Sequence, residues 1–84
     1  MKVWLVEIFV YNLDDEYGYI SRHYRESKVF DQKVKALNYL RDFKKGYKTN
    51  DKNRLLEFDR KYDVCPSGFC IEFHDECTIT EIEL

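Results

Sequence analysis

The stretch Lys2-Val3-Trp4-Leu5-Val6-Glu7-Ile8-Phe9-Val10-Tyr11 reads as one long β-strand. Trp4, Val6, Ile8 and Val10 fall on one face by the two-residue period of a strand. Val3, Leu5, Glu7, Phe9 and Tyr11 fall on the other. Both faces are largely apolar, so the strand is expected to be central, or to have its second face covered by a partner.

The neighbouring segments are read from this strand. Asn12-Leu13-Asp14-Asp15-Glu16 is a polar turn, and Gly18 tolerates positive φ. Tyr17 to about Arg25 alternates again and is predicted to return as the second strand of a hairpin. Asp31 is placed as an N-cap, ahead of a helical stripe of Val34, Ala36, Leu37, Leu40 and Phe43. Lys44 and Lys45 suit the negative end of that helix, and Gly46 suits the position after it. A second helix starts near Thr49 or Asn50 and carries Leu55, Phe58, Asp59 and Tyr62. Pro66 and Gly68 make a turn. Phe69 to His74 and Cys77 to Leu84 then read as two strands, with Asp75-Glu76 turning between them. The expectation is one α+β domain over residues 1–84. It has a mostly antiparallel sheet in the order strand-strand-helix-helix-strand-strand, with the helices on one face. Its predicted core is Trp4, Val6, Ile8, Leu37, Leu40, Phe43, Ile71 and Phe73.

Composition narrows the function classes. The 84 residues suit one domain, and the 17% aromatic fraction supplies large buried areas to a chain too short for a big core. The apolar run to Tyr11 is far short of the roughly 18 residues a membrane helix needs, and it lacks the pattern of a signal peptide. A cytoplasmic location is expected, with Cys65, Cys70 and Cys77 reduced. Charge is unevenly spread. Residues 22–61 hold 13 of the 14 Lys/Arg against six acids, while the rest holds Lys2 against ten acids. This describes a bipolar molecule with a basic helical side and an acidic sheet side.

Catalytic and metal chemistry find little support. Cys65-x4-Cys70-x3-His74-x2-Cys77 offers zinc-type ligands. On a strand, however, Cys70 and His74 would stand about 13 Å apart. Structural thiols, or a Cys65–Cys70 disulfide, fit the segment better. No Gly-x-Ser-x-Gly elbow and no phosphate-cradling glycine loop is present. The chain is expected not to be an enzyme and to hold no cofactor or metal.

The first hairpin gathers the residue types used for binding: Tyr11, Tyr17, Tyr19 and Tyr24 with Arg22, His23 and Arg25, and Asp14 and Asp15 at its tip. Tyr and Arg are enriched at interface hot spots, and the acids would steer toward a basic target such as the nucleic-acid groove of a nuclease. The alternative is a nucleic-acid or nucleotide-binding module that stacks bases on the same rings. An acidic chain with a pI near 5.6 attracts phosphate poorly, which disfavours that alternative. The doubly apolar first strand also points to a homodimer or hetero-complex through the sheet.

Three segments together carry a resemblance. They are the Lys2-Val3-Trp4-Leu5-Val6-Glu7 strand leading to a polar hairpin; Val29-Phe30-Asp31 running into a helix with Ala36, Tyr39 and Leu40; and the acidic end Ile79-Thr80-Glu81-Ile82-Glu83-Leu84. The pattern resembles small accessory proteins encoded by phages and mobile elements of Gram-positive bacteria. The second helix and the Cys-Pro-Ser-Gly-Phe-Cys turn are not part of it. The resemblance implies a protein that binds a host protein in the host cytoplasm, often a defence enzyme, and inhibits or modulates it. It assigns no role to any individual residue.

Overall fold

A strand apolar on both faces belongs in the middle of a sheet, and β1 (Lys2–Leu13) lies there. The computed structural model describes residues 1–13, 20–65 and 72–84. Among these residues β1 is followed by β2 (Ile20–Phe30), α1 (Lys33–Lys44), α2 (Lys52–Tyr62) and β3 (His74–Glu83). The sheet is antiparallel with strand order β2-β1-β3. β2 pairs from Trp4↔Phe30 to Leu13↔Ile20, with one irregularity at Asn12/Leu13. β3 pairs without a break from Lys2↔Glu83 to Tyr11↔His74. The Leu84 amide donates to the Met1 carbonyl at 2.7 Å, so the two chain ends lie side by side.

The even-numbered face of β1 is the core. Val6, Ile8 and Val10 are buried with Ala36, Tyr47, Phe58 and Val64. Ala36, the one buried residue of α1, has no bulk to hold that helix away from the sheet. Aromatic rings fill the wider space toward α2. Phe43 meets Tyr24, Tyr47, Phe58 and Tyr62, and Phe58 lies 4.5 Å from Tyr62 and 5.1 Å from Phe73 between ring centroids. Offset and edge-on pairs of this kind add about 0.5–1.5 kcal/mol each beyond their area.

The helix ends follow local chemistry. Asp51 caps α2 by accepting from the Asn53 amide at 3.0 Å. Asp63 ends it in the left-handed region at φ 54°, which Asp tolerates better than most residues. Asp59 Oδ1 then accepts from the amides of Val64 and Cys65, at 3.1 and 2.6 Å, and holds the exiting chain.

The molecule is a slab measuring 46 × 26 × 16 Å. Its radius of gyration is 14.4 Å, whereas a compact chain of this length would have roughly 12 Å. Its thinnest dimension holds one sheet and one helical layer.

Several expectations are corrected. Two closing strands were expected; the described residues form one, because Asp75 and Glu76 do not turn but pair with Val10 and Phe9. Asp75 is held there by the Tyr47 hydroxyl and Lys48, so this polar pair belongs to a strand. β2 runs on to Phe30, since Val29 and Phe30 find partners in Leu5 and Trp4 rather than starting a helix. Gln32, not Asp31, is the N-cap of α1, and it makes no side-chain cap bond; Asp31 pairs with Lys35. Leu37 is exposed and is not core. Trp4, Leu40, Phe43 and Phe73 pack on the core half-buried, and Ile71 lies outside the described residues. Among the described residues no helix is long and apolar enough to cross a membrane.

Candidate functional site

Among the described residues no helix lies over the odd-numbered face of β1. Residues paired across an antiparallel ladder share a face. The register therefore places Val29, Ser27, Arg25 and His23 of β2 beside Leu5, Glu7, Phe9 and Tyr11. On the other side stand Ile82, Thr80, Thr78, Glu76 and His74 of β3. One end of this open face is aliphatic, with Val3, Leu5, Ile82 and Val29, the last 58% exposed. The other end is aromatic and charged.

At the aromatic end the rings form a ladder. Phe9 stacks on Tyr11 at 5.0 Å, and Tyr11 stacks on His74 at 5.5 Å. His23 meets the Phe9 ring edge-on at 5.6 Å. The Arg25 guanidinium carbon lies 4.2 Å from the Phe9 centroid. This cation–π contact is worth about 0.5–1 kcal/mol at an exposed site. Between the two ends, Glu7 pairs with Ser27 and Thr78, whose small side chains leave a dimple of about 220 Å³ that Phe9, Arg25 and Glu76 also line.

Three of the sequence-predicted site residues, Tyr11, His23 and Arg25, meet on this face. Arg22 and Tyr24 do not; they are on the core side, in register with Asn12 and Val10. Arg22 is spent on Asp63 at 2.7 Å. Tyr24 stacks on Phe43, lies tilted against Tyr62 with ring centroids 4.5 Å apart, and donates to Glu26 at 3.2 Å. Burial first, and the Glu26 charge next, push the Tyr24 hydroxyl above its ordinary pKa. Tyr39 donates to the other oxygen of Glu26 and is raised for the same causes. Glu26 is thus a polar tie between β2 and α1. Asp14, Asp15, Tyr17 and Tyr19 lie outside the described residues.

Sequence reasoning about the hairpin missed Phe9 and His74. Phe9 reads in the sequence, with Val3 and Leu5, as part of the second apolar face of β1 that a partner through the sheet would cover, but not as one of the hairpin's binding residues. His74 joins the face only through the β3 register.

Cys65 and Cys77 belong to structural surroundings. The buried Asn12 amide donates to the Glu72 carbonyl at 3.1 Å and reaches Cys65 Sγ at 3.8 Å. Cys77 Sγ lies 3.9 Å from the Tyr47 hydroxyl. Cys70 lies outside the described residues. Among the described residues no three His, Cys, Asp or Glu side chains converge on a point that could hold a metal ion. The open face offers rings, a planar cation and aliphatic groups for contact.

Comparison with family models, curated proteins and solved structures gives no match.

Proposed function

We propose that this chain is a small non-catalytic binding protein of phage type, and that it inhibits or modulates a host protein by docking the open face of its sheet on it. The observation that carries this reading is the Phe9–Tyr11–His74 ladder, with Arg25 on Phe9, lying beside an aliphatic strip on the sheet face that no described helix covers. Aromatic rings and arginine bury large area at low entropic cost, which is why they dominate interface hot spots. Glu7 and Glu76 on the same face suit a protein partner that offers a cation.

A second reading rests on the same ladder, since single-stranded nucleic acid stacks on such rings. The two glutamates repel phosphate, so the protein partner is the better fit.

The test is capture from a Gram-positive host lysate with tagged wild type, a Phe9→Ala/Arg25→Glu variant and an Arg22→Ala variant altered on the core side. The expected result is one protein held in stoichiometric amount by wild type and Arg22→Ala and lost by the double variant. Nuclease-sensitive material would select the second reading. Equal capture by all three would remove the open face from the function.

A further inference from the structure

We infer that α1 carries a second docking surface, a basic-rimmed apolar groove that takes an acidic amphipathic segment of a protein. The groove has a volume of about 420 Å³ and is lined by Leu37, Leu40, Arg41, Lys44, Lys45 and Lys48. That volume lies within the range of ordinary ligand clefts, about 300–1,000 Å³.

The apolar stripe of α1 is wider than the sheet can cover. Ala36, Tyr39, Leu40 and Phe43 turn to the core. Val34 and Leu37, one helical turn apart, are 57% and 49% exposed. Single exposed apolar residues need no explanation, but two adjacent ones beside a groove form a continuous surface.

The rim is cationic. Arg41 and Lys45 each lie 3.7 Å from Asp42, and Lys48 lies 3.5 Å from Asp75. Lys44 has no ion pair among the described residues. Two carboxylates against four cations leave positive charge on a chain whose formal net charge is −2. Cations near the C-terminal end of α1 also stabilise that end against the helix dipole. This accounts for their sign but not for the leucine floor between them.

Charge and floor together select the occupant. Carboxylates answer the rim, and apolar side chains spaced three or four residues apart answer Leu37 and Leu40, as in helix-in-groove recognition. A phosphodiester chain offers no apolar group next to its charges. An anionic lipid surface answers the cations but presents no side chains spaced to match Leu37 and Leu40. The groove lies on the helical side of the slab, so the inference stands independently of the open sheet face.

The experiment is fluorescence anisotropy with a labelled helical peptide of Glu and Leu, its leucines on one face. Three controls are a polyglutamate of equal charge, an oligothymidylate, and vesicles of phosphatidylserine and phosphatidylcholine. The Glu/Leu peptide is expected to bind best and to weaken with salt. Lys44→Glu and Leu37→Ser are each expected to weaken it on the order of tenfold, as loss of one interface anchor does. Phe9→Ala/Arg25→Glu should leave it unchanged. Circular dichroism and denaturant midpoints matching wild type would show that the variants fold. Absence of peptide binding would overturn the inference. So would equal binding of polyglutamate, tighter binding of the oligonucleotide or vesicles, or indifference to both groove substitutions.

Discussion

Arg25 lies over the ring of Phe9, in register with it across the β1–β2 ladder, on the odd-numbered face of β1. The contact joins an exposed cation to a half-buried ring, so it contributes little to folding. Arg25→Ala is expected to lower stability by less than about 1 kcal/mol in urea denaturation. A loss above about 2 kcal/mol, the level of a buried or networked group, would make Arg25 a structural residue and weaken its role in binding.

Tyr47 donates to Asp75 Oδ2 at 2.5 Å from a buried position, tying the turn after α1 to β3. Tyr47→Phe removes a hydrogen bond to a charged group and should cost about 1.5–3 kcal/mol near neutral pH. The pH dependence has a definite sign. Burial first, then the bond to Asp75, raise the Tyr47 hydroxyl above its ordinary value of 10.0. The folded state therefore favours the protonated phenol, while the unfolded chain ionises near 10. The resulting stability is complete below pH 10 and declines as pH rises above it. Tyr24 and Tyr39 are raised in the same direction. Wild type should lose stability more steeply than Tyr47→Phe above about pH 10, so the two curves converge there. Denaturant midpoints across that range check it; parallel curves would contradict the assignment.

Val10 is fully buried and Leu37 is half exposed, although both sit on apolar stripes in the sequence. Val10→Ala should cost about 2–3 kcal/mol, from two lost buried methyl groups and the cavity they leave. Leu37→Ala should change stability by less than about 0.5 kcal/mol, as an ordinary surface change does. Thermal or chemical unfolding of both variants decides which face of α1 is packed.

Asp59 replaces backbone partners at the end of α2, where its Oδ1 accepts from two amides of nearly inaccessible residues, Val64 and Cys65. Asp59→Ala leaves those donors unpaired, and each unsatisfied buried group costs about 1–3 kcal/mol. A loss of at least about 2 kcal/mol is expected, with faster amide exchange at both positions measured by NMR.

How far the sequence could be read follows from which signals were local. The alternation of Val6, Ile8 and Val10 against Val3, Leu5 and Phe9 carries the central strand. Asp51, close to the expected start at Thr49 or Asn50, carries the second helix. The join between β2 and α1 was misplaced because Val29 and Phe30 owe their strand conformation to Leu5 and Trp4 across the ladder, a non-local cause. Asp75-Glu76 looked like a turn for the same reason: the groups that hold Asp75, Tyr47 and Lys48, lie far away in the chain. The hairpin was picked out by composition, but composition cannot assign faces. Alternation along the strand sets Arg25 and His23 apart from Arg22 and Tyr24, but only register shows that the first pair lies on the open face and the second on the core side.

Gly46 follows the end of α1, where a glycine would ordinarily serve a left-handed cap, yet its backbone is not in that region. Its reason is space. A Cβ built on Gly46 would stand 2.8 Å from Phe58 Cδ2 and 3.3 Å from the Phe43 carbonyl oxygen. The Phe58 ring cannot swing away, because it is buried among Phe43, Tyr47, Tyr62 and Phe73. Alanine gains about 0.4–1 kcal/mol over glycine by restricting the unfolded chain. Overpacking in a filled core costs typically about 1–3 kcal/mol. The clash should win, and Gly46→Ala is expected to destabilise by about 1–2 kcal/mol net. Combining it with Phe58→Leu separates the causes. If the ring is the obstacle, the added cost of Gly46→Ala should fall to near zero or change sign in that background. A cost unchanged by Phe58→Leu would instead assign the glycine to its backbone, against the Phe43 carbonyl, in a double-mutant cycle read by urea unfolding.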